Sequence, residues 1–229
     1  MSKIEVISPT AAGNAAIRLN NPVVASGIYA RFGKRIVDLA FVLCLLPVAV
    51  PVIAILALLV SRDGAKPFFG HRRVGHNGKT FYCWKVRSMV ADAETRLAAH
   101  LAADPAAKAE WEATFKLDND PRITRLGHFI RKTSLDELPQ LWNILKGEMS
   151  VVGPRPVTAE ELTRYGSDAV YYKAMRPGLT GLWQVSGRNT VSYDERVEMD
   201  VTYSQSFGFW QDLRIILLTA KAVLSRTGK

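Results

Sequence analysis

Between Leu39 and Val60 the chain runs 22 residues without a charge, LAFVLCLLPVAVPVIAILALLV, and nowhere else does apolar character persist for so long. As a straight helix this length reaches across a hydrocarbon core of roughly 30 Å. Pro47 and Pro51 stand near its middle, where each removes a backbone donor and crowds the carbonyl four residues back, at Leu43 and Pro47. The segment is therefore expected to bend. Arg31, Lys34 and Arg35 precede it and Arg62, Lys66, Arg72 and Arg73 follow it, so both ends carry the cytoplasmic signature of basic flanks. Two arrangements satisfy the pattern: a re-entrant helix-break-helix hairpin that leaves through the leaflet it entered, and a kinked helix that spans the bilayer. Asp38 follows Lys34 at i+4 and is placed to pair with it as a structural anchor near the interface.

Past Val60 the pattern is that of an ordinary soluble protein. Residues 66–89, KPFFGHRRVGHNGKTFYCWKVRSM, set glycines between short β-prone runs and predict a hairpin. Residues 91–117 are rich in Ala, Leu and Glu and predict one or two helices interrupted near Pro105. Helices are also expected over 158–175 and 209–224. In the second of these, Phe209, Trp210, Leu213, Ile216, Leu217, Ala220 and Leu224 recur at helical spacing, which serves core packing or an amphipathic helix at the bilayer interface. The first 30 residues show no sustained period and read as a mobile tail. The expected organisation is a tail over 1–30, a membrane helix over 31–62 and a catalytic domain over 63–229. The fold class is α+β, mainly helical, with a small β element.

Composition narrows the partners. Lys and Arg outnumber Asp and Glu by 30 to 21, with the excess spread along the chain, which favours anionic partners such as phospholipid headgroups or nucleotides. Cys44 and Cys83 lie in an apolar and an aromatic run, which argues against a disulfide framework or a CxxC metal site. Gly78-Lys79-Thr80 ends like a phosphate-binding P-loop, but Arg73 stands where its first glycine belongs. His71, His76, His100 and His128 form no HExxH pattern, and no GxSxG elbow is present.

The chemistry concentrates in residues 118–156, DNDPRITRLGHFIRKTSLDELPQLWNILKGEMSVVGPRP. Ser134-Leu135-Asp136-Glu137 has the spacing of a capping box, which places two acids in a helix's first turn. There the helix dipole favours an ionised carboxylate and also attracts phosphate. Leu138, Leu141, Trp142 and Leu145 would form an apolar stripe, with Asp136, Gln140 and Asn143 on another face. Two acids in a first turn also serve merely to stabilise a helix, and the surrounding cations are what favour a site. Arg122, Arg125, Arg131 and Lys132 precede the acids, and Arg155 follows between Pro154 and Pro156, where its fork is restrained for a phosphate. Residues 176–188, RPGLTGLWQVSGR, supply flexible backbone beside Arg176 and Arg188 that suits a diphosphate.

These segments together resemble the bacterial sugar transferases, or monotopic phosphoglycosyl transferases, over roughly residues 31–225. The likeness is carried by the basic-flanked apolar segment with Pro47, HRRVG at 71–75, KVRSM at 85–89, DPRITRLG at 120–127, TSLDELPQLWNILKGEMSVVGPRP at 133–156 and RPGLTGLWQVSGR at 176–188. The resemblance implies a re-entrant hairpin in the bacterial inner membrane with the catalytic part on its cytoplasmic face. It implies Mg²⁺ dependence, Asp136 as nucleophile and metal ligand, and Glu137 beside it as metal ligand or proton acceptor. Arg73, Lys85, Arg87, Arg122, Arg131, Arg155, Arg176, Gln184 and Arg188 are the expected substrate-binding residues. The implied reaction passes a hexose-1-phosphate from a UDP-sugar to undecaprenyl phosphate through a phospho-sugar aspartate, releasing UMP, as the first step of exopolysaccharide or O-antigen assembly. Three departures stand out: Leu46-Pro47 in place of Ser-Pro, the added Pro51, and Val86 where an aromatic residue is common. The N-terminal multi-span region of longer relatives is missing, which is expected of the short, hexose-1-phosphate-transferring form and favours UDP-galactose or UDP-glucose. Phospholipid is an expected partner, nucleic acid is not, and a homodimer stays open. Two rival functions remain: a membrane glycosyltransferase that releases UDP, and a non-enzymatic basic protein tethered to the membrane.

Overall fold

The computed structural model describes residue 22 and residues 24–114, 117–186 and 191–224. The tail expected over 1–30 falls mostly outside them, although the chain already docks at Ala25, whose N–H donates to the Ser204 carbonyl at 2.8 Å. A wide turn, Tyr29–Gly33, leads into helix α1, Lys34–Val60. Both prolines lie inside α1, so the expected bend does not divide the segment into two helices. Proline lacks an N–H, so the bonds to the Leu43 and Pro47 carbonyls are lost while neighbouring turns keep their helical bonding.

Burial on α1 follows one stripe. Asp38, Val42, Ala49 and Leu56 are buried, spaced by three- and four-residue steps or their sums, while Leu43, Val48, Val50, Ile55 and Leu58 are exposed. Both ends are tied to the same body. At the start, Arg35 donates to the Ile144 and Leu145 carbonyls at 2.6 and 2.9 Å, and Asp38 accepts from Ser150 Oγ and Val151 N, each at 2.9 Å. Lys34 bonds Asp212 at 2.8 Å, so the expected pairing of Lys34 with Asp38 gives way to two long-range anchors. At the far end the Val60 carbonyl accepts from Arg87 at 2.9 Å.

The hairpin forms as expected. Strands β1 (Phe68–Val74) and β2 (Thr80–Val86) pair antiparallel, with Phe69 opposite Lys85 and Arg73 opposite Phe81. Strand alternation then puts Phe69, His71, Arg73, Phe81, Cys83 and Lys85 on one face. Pro105 divides 91–117 into α2 (Ala93–Ala103) and α3 (Pro105–Thr114), and Asp104 caps the second by accepting from Ala106 N at 2.9 Å. Helix α4 (Arg125–Lys132) and the short α5 (Gln140–Lys146) flank the acid pair.

The stretch 158–175 is broken where one helix was expected. Gly166 takes φ +52°, separating α6 (Ala159–Thr163) from α7 (Ala169–Ala174). Two short strands, β3 (Ser150–Val152) and β4 (Gly178–Thr180), pair parallel at the centre, and no periodicity announces elements so short. Helix α8 (Leu182–Ser186) follows, then α9 (Tyr193–Ser206), begun by a Ser192/Glu195 capping box, and α10 (Phe209–Leu224). Val42 and Ala49 of α1, Phe81 and Cys83 of β2, Leu141 and Ile144 of α5, and Tyr203 and Ile215 share the main core. The protein is thus a mainly helical α+β structure with two small sheets and one long apolar helix.

On α5, Leu141 and Ile144 are buried, but Trp142 is 59% exposed, so it leaves the expected stripe. Asn143 is fully buried and works for the fold: its Nδ2 donates to the Tyr82 carbonyl at 2.8 Å and its Oδ1 accepts from Trp84 N at 3.1 Å. It thereby satisfies the free edge of β2. Replacing Asn143 with Leu should leave those two backbone groups unpaired and lower stability by about 2–4 kcal/mol, read as a depressed thermal midpoint in detergent. A midpoint equal to the parent's would show that water replaces the amide.

Candidate active site

Asp136 and Glu137 sit in a single tight turn, Leu135–Glu137, between α4 and α5. The turn is entered through Ser134, which adopts φ +57°, ψ +19°, a left-handed conformation costly for a residue with a Cβ. In that conformation the Ser134 side chain makes no cap hydrogen bond, and the expected capping box with Glu137 is absent. Pro139 instead precedes α5 as its cap residue. The acids therefore lie in a helical first turn, as expected, but one entered through a strained corner and without the side-chain cap. Asp136 is buried, and Glu137 keeps about a third of its side chain exposed (33%).

Lys85 bridges the pair. Its Nζ lies 2.6 Å from Glu137 Oε1 and 3.4 Å from Asp136 Oδ2. Desolvation raises the Asp136 carboxyl above the ordinary range and Glu137 adds to the rise, while Lys85 and then Arg131 oppose it. Burial would raise Glu137 too, but Lys85, Arg155 and a hydrogen bond with Gln140 bring it below its ordinary value. Burial likewise works against the Lys85 cation, and Glu137 and Asp136 outweigh that effect and raise it. The two carboxylates differ in kind: one is costly to ionise, the other held ionised. Burial pushes the nearby Cys83 thiol up to about 11, which leaves it a poor nucleophile.

The remaining expected residues divide by position. Arg131 and Arg155 exert their charge on the acid pair. Arg73 pairs with Glu161, which Arg155 also influences, and stands on the hairpin face that carries Lys85. Arg122 is clamped on buried Asp120 at 2.6 Å and lies over Trp111, so its fork is spent on holding the 118–122 loop. Arg87 is used up elsewhere: it binds both carboxylate oxygens of Asp63 and the carbonyls of Val60, Lys66 and Met89, clasping the end of α1 to β2. Arg176 donates to the Gly147 carbonyl at the end of α5, away from the acids. Gln184 lies on α8 next to Trp183, which Arg155 overlies at 5.9 Å. Arg188 lies outside the described residues.

Of the glycines in 176–188, Gly178 and Gly181 pack closely against Gly153, and Gly187 lies outside the described residues. A Cβ on Gly153 would meet the Arg176 carbonyl at 2.5 Å, and one on Gly178 or Gly181 would collide with the Gly153 backbone. Gly153 N–H donates to the Thr180 carbonyl at 2.9 Å, so the two glycine-rich stretches pack backbone on backbone. Arg155 is fixed two residues beyond that contact.

The sequence profile described as Bacterial sugar transferase matches residues 29–226. The chain belongs to this family. It is 54% identical over 198 residues to the UDP-galactose-lipid carrier transferase of Erwinia amylovora and to the undecaprenyl-phosphate galactose phosphotransferase of Salmonella typhimurium. Those alignments cover 86% of this chain and 42% of each relative, so the chain spans less than half their length. It is also 54% identical over 173 residues to the exopolysaccharide production protein ExoY of Rhizobium meliloti, covering 75% of this chain and 76% of that protein.

In this sugar transferase, Asp136 and Glu137 fit a divalent cation of the Mg²⁺ type, which takes one or two carboxylates and completes its shell with water and substrate phosphate oxygens. No cluster of three or more His, Cys, Asp or Glu side chains arranged for a metal occurs among the described residues, so the protein would contribute the two acids alone. Residues outside the expected site set also gather here. His71 shares the hairpin face with Lys85, and burial followed by the Arg73 charge lowers its imidazole. Strand alternation is the signal that places it there. Arg196 overlies Trp183 at 4.5 Å, and a contact of α9 with α8 leaves no local trace in the sequence.

The sign of the electrostatics can be tested. Substituting Lys85 with Met removes the cation that holds both carboxyls down, so each should ionise at higher pH. A reaction needing an ionised Asp136 is lost as pH falls through its pKa, and the acid limb of kcat/KM should therefore move upward by about 1–3 pH units. An unmoved limb, even with a reduced plateau, would show that Lys85 does not set that ionisation.

Proposed function

We propose that the protein transfers a hexose-1-phosphate from a UDP-sugar to undecaprenyl phosphate at the cytoplasmic face of the bacterial inner membrane, with Asp136 as nucleophile. The observation that carries this reading is the buried Asp136 beside an ionised Glu137, both held by Lys85 and reached by Arg131 and Arg155. Three cations around two carboxylates leave positive charge to spare for a diphosphate. The carrier named for the Salmonella relative and the donor named for the Erwinia one favour undecaprenyl phosphate and UDP-galactose, with UDP-glucose next.

An Asp136 oxygen attacks the phosphorus that bears the sugar. The bond from that phosphorus to the bridging oxygen breaks, its electron pair leaves with UMP, and a phospho-sugar aspartate remains. An oxygen of undecaprenyl phosphate then attacks the same phosphorus and expels the carboxylate, giving the polyprenyl diphosphate sugar. Desolvation makes Asp136 a stronger nucleophile once ionised, and Lys85 opposes the rise that burial imposes on its carboxyl. Glu137, held below its ordinary range, is suited to orienting cations and ill suited to accepting protons. Mg²⁺ held by Asp136 and Glu137 would neutralise diphosphate charge.

The membrane part of the proposal rests on α1. Its outward side chains are apolar, and Arg35 and Arg87 tie its two ends to one body, as entry and exit through one leaflet require. On α10, Trp210 at 77% and Leu217 at 61% exposure, beside Arg214 and Lys221, suit an interfacial helix.

The test is to incubate the protein with UDP-galactose, UDP-glucose and undecaprenyl phosphate and identify the nucleotide released. UMP is expected, and UDP would favour the rival glycosyl transfer. Asp136→Asn should abolish both product and the quenched phospho-sugar adduct, and normal turnover in that variant would remove Asp136 as nucleophile. Cysteines placed one at a time at Arg31 and Lys66 in a Cys44→Ser background, where the remaining Cys83 is buried, should both label from the cytoplasmic side. Labelling from opposite sides would establish a spanning helix.

A further inference from the structure

Trp183 on α8 is buried and has two guanidinium groups over its ring, Arg196 with Cζ 4.5 Å from the centroid and Arg155 at 5.9 Å. A guanidinium over an indole is favourable, but two on one ring also repel each other. Other arginines in this protein are neutralised or capped: Arg73 by Glu161, Arg87 by Asp63, Arg122 by Asp120. Arg196 has no ion pair with a carboxylate among the described residues, and its Nε is buried with no hydrogen-bond partner there. The nearby acids of its own helix are occupied, Asp200 with the Tyr165 hydroxyl at 2.7 Å and Glu195 in the Ser192 capping box. A cation held by an aromatic ring, with a desolvated donor unmet, is poised for an anion from outside the chain.

Arg155 gives the direction. Its guanidinium overlies Trp183 and its charge acts on Glu137, so the Trp183 group lies within the field that reaches the carboxylates. We propose that Arg196, seated on Trp183 and working with Arg155, binds the phosphate that departs with the nucleoside. This rests on the phosphoglycosyl transfer reading and adds to it a place for the leaving group. As the bond from phosphorus to the bridging oxygen breaks, negative charge grows on the nucleoside phosphate, and a fixed guanidinium there stabilises departure. Arg196 then acts on the first half-reaction and has no part in release to the polyprenyl acceptor.

The full-length protein in detergent is titrated with UMP, UDP and uridine. Arg196→Gln should weaken UMP and UDP binding by about 10–100-fold while uridine binding and the thermal midpoint stay at the parent's values. Arg196→Lys, which keeps the charge and loses the fork and Nε, should fall between the two and carries the test should the Gln variant not fold. In turnover, KM for undecaprenyl phosphate should not change. Unaltered UMP binding in both variants, or equal weakening of UMP and uridine, would overturn the assignment. The two ideas fail separately. Release of UMP by the parent together with intact UMP binding in the variants sinks the subsite alone. Release of UDP by the parent, with phosphate-specific loss in the variants, sinks the transfer reading and leaves the subsite standing.

Discussion

The fold hangs on how the polar groups of one seven-residue helix are satisfied. Helix α5 is too short to hold itself together, and each part of it is completed by a different element. Its last carbonyls accept from Arg35 of α1, its middle residue Asn143 supplies the missing partners of the β2 edge, and the turn before it carries the acids that Lys85 of β2 binds. The long apolar helix, the hairpin and the acid pair are thereby referenced to one another through a single short rod. Its apolar side is anchored by Leu141 and Ile144 in the main core.

On this frame the electrostatics become directional. Burial alone would raise both acids; Lys85 from the hairpin opposes that rise in each, and the balance leaves Asp136 above its ordinary value and Glu137 below it. The cost is shared locally, because Lys85 is itself desolvated and held charged by the same acids. Arg131 from α4 and Arg155 from the loop after β3 act from separate elements, so the charge balance depends on tertiary packing and not on any one segment. The strained backbone at Ser134 is the local price of presenting two adjacent acids together.

What the sequence made legible was local. Glycines between β-prone runs announced the hairpin, Pro105 announced the break between α2 and α3, and the cations around Asp136 and Glu137 singled that pair out as candidates. What stayed hidden was the assignment of partners. Arg87 and Arg176 carry the same charge as Arg155, yet carbonyls and Asp63 claim the first and Gly147 the second, and nothing in their neighbouring residues foretells it. The Ser134 spacing matched a capping box, but a left-handed backbone turned the hydroxyl away from that task. Lys34 and Asp38 had ideal helical spacing, and each found a buried long-range partner instead. Trp183 and Arg196 meet across α8 and α9, a pairing that no window of sequence contains.

The glycine contact between Gly153, Gly178 and Gly181 has a bearing on how such proteins diversify. Because Arg155 is located by main chain against main chain, its position is insulated from drift in surrounding side chains. Side chains around the acid pair can be rebuilt over generations while the Arg155 charge that acts on Glu137 stays registered. Charge placement and surface lining then become separately heritable traits, joined only where three positions tolerate nothing larger than hydrogen.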